Sequence, residues 1–426
     1  MKLTILFKSK YVRNIFTLVS SAFFAQILAL LLTPILTRMY SPEEFGIFTA
    51  FLSYSGTLGA FIFLSVELAI VKSNSVRELS SVFGLMFLIS LSFLSIFIVT
   101  VYFESFFYAF IGFDKLFDIK ELVVFGVIFA AVNLVLNQFI TRKEQFSVYA
   151  TSQVSFVFLR FLFSYLFFYF GCKKYGLVFG FIVASILIVC FLIYTSKIYK
   201  EKLTFKKVNI FAVYRKHRHL VFFNTPASVI NTLLISFPVF YIFKFYGAEA
   251  AGFFGLAFRM VQLPITIVNK AMGQVMYKKF IDLENKPHQV QNFVYKNMFV
   301  LSCSLPFFII LYIYGSSIFS LVFGPSWNRS GEMASLMSPY IFFSFIASPI
   351  TYYFVAYNKT KHFLLISLLS LLCLIIMSLS MEINSIDEFI FYYSVLNIGF
   401  CIFVMLYIIG DLRLSLNKSL DVVSKN

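Results

Sequence analysis

Runs of about 20 apolar residues recur along this chain, at residues 14–37, 45–71, 80–103, 121–141, 147–170, 176–196, 220–243, 251–276, 293–314, 333–356, 362–380 and 388–410. A helix needs about 20 such residues to cross the roughly 30 Å hydrocarbon core of a bilayer. The chain therefore reads as an all-α integral membrane protein of about 12 transmembrane helices. With 60% hydrophobic and 13% charged residues and a mean hydropathy of +0.88, it has too little polar surface to coat a soluble globule of this size.

Residues 38–48, RMYSPEEFGIF, close the first run and launch the second. Ser41 can accept from the orphan amides of the second helix, Pro42 suits a first helical position, and Glu43 and Glu44 sit where the helix dipole favours negative charge. This is a tight hairpin between two spans. A shift of about 206 residues lays Arg38, Tyr40, Glu43, Gly46 and Phe48 over Lys244, Tyr246, Glu249, Gly252 and Phe254 of KFYGAEAAGFF. The echo falls after the first run of each half, which points to an internal duplication with halves at residues 1–210 and 211–426. Six spans per half is an even number, so the repeats are parallel, related by an axis along the membrane normal.

The segment AQILALLLTPILTRMYSPEEFGIFTAF, followed by SVELAI, resembles the amino-terminal signature of the Wzx-type O-antigen and polysaccharide flippases. These belong to the multidrug, oligosaccharidyl-lipid and polysaccharide exporter superfamily. The motif covers about a tenth of the chain; length, helix number and duplication extend the likeness across all of it. The resemblance implies a MATE-like V-shaped bundle in the bacterial inner membrane. The implied activity is alternating-access transfer of polyprenyl-pyrophosphate-linked oligosaccharide, such as O-antigen or capsule repeat units, from cytoplasm to periplasm. A polysaccharide polymerase and a chain-length regulator are the implied protein partners.

Orientation follows from Lys and Arg. With a cytoplasmic amino terminus, about 24 of the 35 fall on the inside and about 7 outside, so both termini are read as cytoplasmic. The net charge of +16 is thus mainly a topology signal, and no folded basic face outside the membrane suggests nucleic acid. The longest inside connection, residues 197–219, is basic and is read as a linker touching anionic membrane lipids; His217 and His219 within it are read as incidental. The basic amino terminus leads into a run too long for a typical cleaved signal and is read as a retained first span. The five Cys show no paired spacing and suggest neither metal ligands nor a disulfide framework. The 60 Phe are read as replacing Leu, not as a platform for carbohydrate.

Charges inside the spans are few, and a charge in a bilayer normally faces a bundle interior or a water-filled cavity. They are Glu67, Arg160, Arg259, Lys270 and, near an end, Lys296. Arg259, Gln262, Thr266, Lys270 and Gln274 share one stripe of the eighth span, with Asn269 at its flank. Neutral polar sets occur on the first span (Gln26, Thr33, Thr37), the fourth (Asn133, Asn137) and the seventh (Asn224, Ser228, Asn231, Thr232). Each such set serves either as interhelical hydrogen-bonding glue or as cavity lining. Together they suggest a hydrated space between the halves that attracts an anion. Arg160, Arg259 and Lys270, with Arg38 at the hairpin, are the candidate cations for a pyrophosphate or acidic sugars. The alternative for each is snorkelling or pairing to carbonyls.

No Walker-type Gly-rich loop followed by Lys is present, and neither a cofactor nor a catalytic constellation is suggested. Glu67 is the one carboxylate well inside a span, read either as the site of H+ or Na+ coupling or as an interfacial carboxylate partnered by Lys72. Two rival functions are weighed. A drug or small-cation exporter of the same superfamily is disfavoured by the mostly positive intramembrane charges. A membrane polysaccharide polymerase is disfavoured by short outside segments without His or a close carboxylate pair.

Overall fold

The computed structural model describes residues 10–73, 75–102, 120–201, 209–283, 286–380 and 383–423. Among them the chain is helical throughout, with no strand: α1 (Lys10–Met39), α2 (Pro42–Phe61), α3 (Ala69–Lys72), α4 (Val76–Tyr102), α5 (Lys120–Arg142), α6 (Phe146–Tyr169), α7 (Gly176–Ser196), α8 (Ile210–His219), α9 (Thr225–Asp282), α10 (Pro287–Ser302), α11 (Leu305–Phe323), α12 (Asn328–Ile350), α13 (Tyr352–Ala356), α14 (Thr360–Ser380) and α15 (Ile386–Val423). By length and composition, ten helical stretches are able to cross a membrane, and the bent pair at residues 42–72 makes an eleventh. One stretch, Ile210–Asn269, has 60 residues, about 90 Å of helix at 1.5 Å per residue and about three bilayer cores. It holds the seventh and eighth expected spans, separated at Gly247, whose φ of 89° and ψ of −178° are not helical. The fold is thus a multi-pass membrane protein of about twelve spans.

The expected second span is not one straight helix. It breaks between α2 and a short 3-10 turn, Val66–Leu68, and bends by 65°. Leu64 and Ser65 both sit in the left-handed region, with φ of 50° and 59°. L-residues other than Gly avoid this conformation, so packing around the turn must impose it.

The hairpin is built as its sequence suggests. The Ser41 Oγ accepts from the Glu44 amide at 3.3 Å, and the Glu44 carboxylate accepts from the Ser41 amide at 2.7 Å, closing a capping box ahead of Pro42. The Tyr40 hydroxyl donates to the Ser164 carbonyl of α6 at 2.5 Å. Burial, with Glu44 adding to it, pushes this phenol well above its ordinary range, which keeps it a donor.

The chain divides into two compact units, Met1–Gly252 and Phe253–Asn426. In the first, small residues let helices approach closely. A side chain at Gly180 would strike Ser164, and one at Gly126 would strike Phe51 and Ser55. Phenylalanines fill the remaining seams, with Phe181 packed edge-on against Phe51 at 5.5 Å and Phe156 at 5.4 Å. Part of the Phe content therefore serves ring packing between helices.

The echoed hairpins meet inside this unit. A Cβ at Gly46 would overlap the Ala248 carbonyl and lie 2.9 Å from the Gly252 nitrogen; a Cβ at Gly252 would overlap the Pro42 carbonyl and lie 2.9 Å from the Gly46 nitrogen. Under the 206-residue shift Pro42 maps to Ala248 and Gly46 to Gly252, so the contact is its own image. Nearby, Tyr54 stacks on Phe240 at 4.3 Å. Far along the same chain path, α8 docks on the start of α4: Lys216 pairs with Glu78 at 2.5 Å, His217 lies buried 3.6 Å from the same carboxylate, and the Asn209 amide donates to Ser81 at 3.3 Å.

In the second unit α12 packs on α11 and α15. Gly315 and Gly331 touch backbone to backbone, and Ser335 and Ser338 donate to the Leu311 and Phe308 carbonyls at 3.0 and 2.6 Å. Arg329 bridges Glu332 and Asp387 at 2.5 and 2.7 Å, while Asp411 accepts from both Lys359 and Tyr353.

Candidate functional site

The residues expected to line a polar path fall on both units. In the first, α6 carries Arg160, which is half-buried with its guanidinium carbon 6.0 Å from the Phe48 ring centre. Arg38, in the last turn of α1, is exposed. On the same helix Gln26 is half-buried and its Oε1 has no hydrogen-bond partner, whereas Thr33 and Thr37 donate to the Ala29 and Pro34 carbonyls. The two threonines are thus satisfied within their own helix.

Asn133 and Asn137 on α5 pair with each other, the Asn137 amide donating to Asn133 at 2.8 Å. That bond leaves the buried Asn137 Oδ1 without a partner. Asn224 ends a π-helical turn, Leu220–Asn224, and both it and Asn231 are exposed on the chain's surface. Thr232 donates back to the Ser228 carbonyl at 2.8 Å.

Glu67 sits on the 3-10 turn below the break, only 8% exposed, with Oε2 buried and unpartnered. Lys72 is exposed, and among the described residues no ion pair joins the two. The interfacial Glu67–Lys72 partnership is therefore not what this structure holds.

In the second unit Arg259 lies half-buried on the carboxy-terminal part of α9, and no described carboxylate pairs with it. One turn on, the Gln262 amide points at the Tyr340 hydroxyl at 3.5 Å, and Tyr340 packs edge-on against Tyr393 at 5.7 Å. The Asn269 Oδ1 on the flank of the same stripe is buried without a partner. The side chains of Lys270 and Gln274 lie outside the described residues.

Sequence reasoning missed the Tyr340–Tyr393 pair, because two tyrosines on separate apolar runs carry no signal of meeting. It also gave no role to Glu78, which looks like an ordinary first-turn acid on α4 but holds the linker helix. The glycine contact joins two positions that the 206-residue echo pairs in sequence, although the echo by itself does not place them together. No described cluster of three or more His, Cys, Asp or Glu is arranged to hold a metal ion, and the five cysteines are free. Within the second unit, then, Arg259 stands one helical turn from the Gln262 amide, which reaches the Tyr340 hydroxyl.

The fold resembles several solved transporters. Over 92% of this chain and 90% of the other it matches a structure described as the lipid II flippase MurJ in an inward closed conformation, with a TM-score of 0.72 and 17% identity. It also matches an inward-facing multidrug resistance MATE family transporter of the MOP superfamily, with a TM-score of 0.57 and 14% identity over 91% and 95% of the chains. A MOP superfamily transporter from Pyrococcus furiosus, for which a reversed polarity of the binding pocket is described, matches with a TM-score of 0.55 and 13% identity over 94% and 95%. No curated protein matches by sequence. The model of a family described as polysaccharide biosynthesis protein matches residues 35–332, well over half of the chain. On that match this chain belongs to the polysaccharide biosynthesis protein family.

Proposed function

We propose that this protein is a flippase that carries a polyprenyl-pyrophosphate-linked oligosaccharide, an O-antigen or capsule type of repeat unit, across the bacterial inner membrane by alternating access. The observation that carries this reading is Arg259: a guanidinium on a membrane helix, half-buried, with no described counter-charge. A cation kept at such depth calls for an anion, and the pyrophosphate of a lipid-linked sugar cannot cross hydrocarbon unpaired. Arg160 and Lys270 share that work, Arg38 receives or releases the anion at the hairpin, and Gln26, Asn133, Asn137, Asn224, Asn231 and Gln262 supply neutral polar contacts along the path.

With both termini cytoplasmic, the hairpins joined at Gly46 and Gly252 lie at the periplasmic end. The repeats divide between residues 210 and 211, at the start of α8. Outward movement of negative charge from a negative interior is favourable by about 2.3 kcal/mol per charge per 100 mV. Resetting the emptied path is the step that H+ or Na+ at Glu67 would assist. A polymerase and a chain-length regulator are the protein partners this role implies.

The test is a proteoliposome assay that follows a labelled polyprenyl-pyrophosphate oligosaccharide from one leaflet to the other. Arg160→Gln, Arg259→Gln and Lys270→Gln, each inserted normally, should slow transfer by tenfold or more. Wild-type transfer by the triple variant would refute the proposal.

A further inference from the structure

The short helix α8 has two faces with different fates. Val213, Lys216, His217 and Leu220 fall on one side of it. Val213, His217 and Leu220 are buried, and Lys216 and His217 lie 2.5 and 3.6 Å from the Glu78 carboxylate of α4. Half a turn round the helix, Phe211, Arg215, Arg218 and Phe222 follow one another at spacings of 4, 3 and 4, one stripe that runs on into the π-helical turn. All four are exposed, the two rings at 65% and 60%. His219 and Phe223 stand exposed at the edge of the same stripe.

The chemistry of the outer face is cationic and aromatic. α8 carries no acidic residue, and among the described residues no carboxylate pairs with Arg215 or Arg218. The Arg215 guanidinium lies 5.0 Å from the Phe211 ring centre. A ring over one face of the planar group leaves its N–H edge free for a bidentate oxygen acceptor. Two guanidiniums one turn apart, with rings on either side, match a phosphate headgroup whose acyl chains continue into hydrocarbon. A soluble anion would satisfy the guanidiniums and leave the rings in water. Place agrees with chemistry, because α8 leads straight into the apolar run at residues 220–243 and so stands at the membrane edge. The excess of Lys and Arg on this side makes it the cytoplasmic one, and the cytoplasmic leaflet carries anionic lipid.

We propose that Phe211, Arg215, Arg218 and Phe222 form a binding surface for anionic phospholipid of the cytoplasmic leaflet. The guanidiniums take headgroup phosphates and the rings enter the boundary of the acyl chains. α8 is then gripped on both sides, by Glu78 within the protein and by the leaflet outside it, so headgroup charge sets how firmly α8 holds to α4. This surface is separate from the path proposed for the cargo.

The test uses the full-length protein without cargo, in nanodiscs of phosphatidylcholine alone or mixed with phosphatidylglycerol. It reads amide hydrogen exchange over residues 210–224, with α5 as internal reference. Phosphatidylglycerol should slow exchange in that stretch several-fold and leave α5 as it was. Added salt should reverse the effect, since exposed charges are screened. Arg215→Gln and Arg218→Gln should each weaken the dependence on phosphatidylglycerol by about fivefold, and the double variant should remove it. Neutralising Lys278 and Lys279, exposed cations near the carboxy-terminal end of α9, should leave it intact. In phosphatidylcholine alone the double arginine variant should exchange like wild type, because the contact with Glu78 is untouched; this separates lost lipid from lost folding. Equal exchange in the two lipids, a double variant that keeps the full dependence, or the same protection by inorganic phosphate in phosphatidylcholine would overturn the lipid surface.

Discussion

The contact of Gly46 with Gly252 is open to a direct test. In Gly46→Val the added atoms have nowhere to go, since the first of them overlaps the Ala248 carbonyl and lies 2.9 Å from a second backbone nitrogen. Backbone cannot swing aside as the tip of a side chain can, so the hairpins must part. Overpacking of this kind costs about 1–3 kcal/mol, which shifts a two-state equilibrium by roughly 5- to 150-fold. Glu43 and Glu249 are images of each other under the 206-residue shift, and both are exposed, so spin labels placed there report the separation without disturbing the seam. The wild-type protein should give one short distance. Gly46→Val, Gly252→Val and the double variant should each add a longer one, with substrate transfer slowed in step. An unchanged distance distribution in a folded Gly46→Val protein would refute the argument that these glycines hold the hairpins together.

Three further outcomes are expected. Arg259→Lys should keep part of the transfer rate that Arg259→Gln loses, because charge survives while the planar fork does not; equal loss in both would point to packing instead of charge. Ser41→Ala removes the capping box and should lower the stability of the purified protein by about 0.5–2 kcal/mol, read as a lower unfolding midpoint with unchanged membrane insertion. Glu78→Ala leaves Lys216 and His217 without their carboxylate, and hydrogen exchange in α8 should rise at least several-fold while exchange in α5 stays as it was.

Much of this fold was legible because the bilayer leaves so few choices. Apolar length gave the spans, and Ser41, Pro42 and Glu44 gave the turn. The break at Leu64 and Ser65 was not legible, since FIFLSVELAI has no Gly or Pro to mark it and reads as continuous helix. Tertiary packing decided that conformation against local preference. Periodicity placed Asn133 beside Asn137 and Arg259 beside Gln262, because residues three and four apart share a face. It had no means of placing Tyr340 against Gln262, because that meeting depends on the register between helices. Arg38 was marked as a candidate by its charge alone, and the structure places it exposed in the last turn of α1.

The glycine contact also bears on ancestry. A contact that maps onto itself under the repeat shift is what two copies of one chain make across a two-fold axis. A six-span ancestor with an even number of crossings would insert every copy the same way round, and two copies would meet at a single glycine facing its own twin. On the duplication reading, joining two such copies in one chain would turn one constrained position into two. Each copy is then free to drift elsewhere, but Gly46 and Gly252 remain bound to each other's history, and a side chain gained by either one is a defect the other cannot repair.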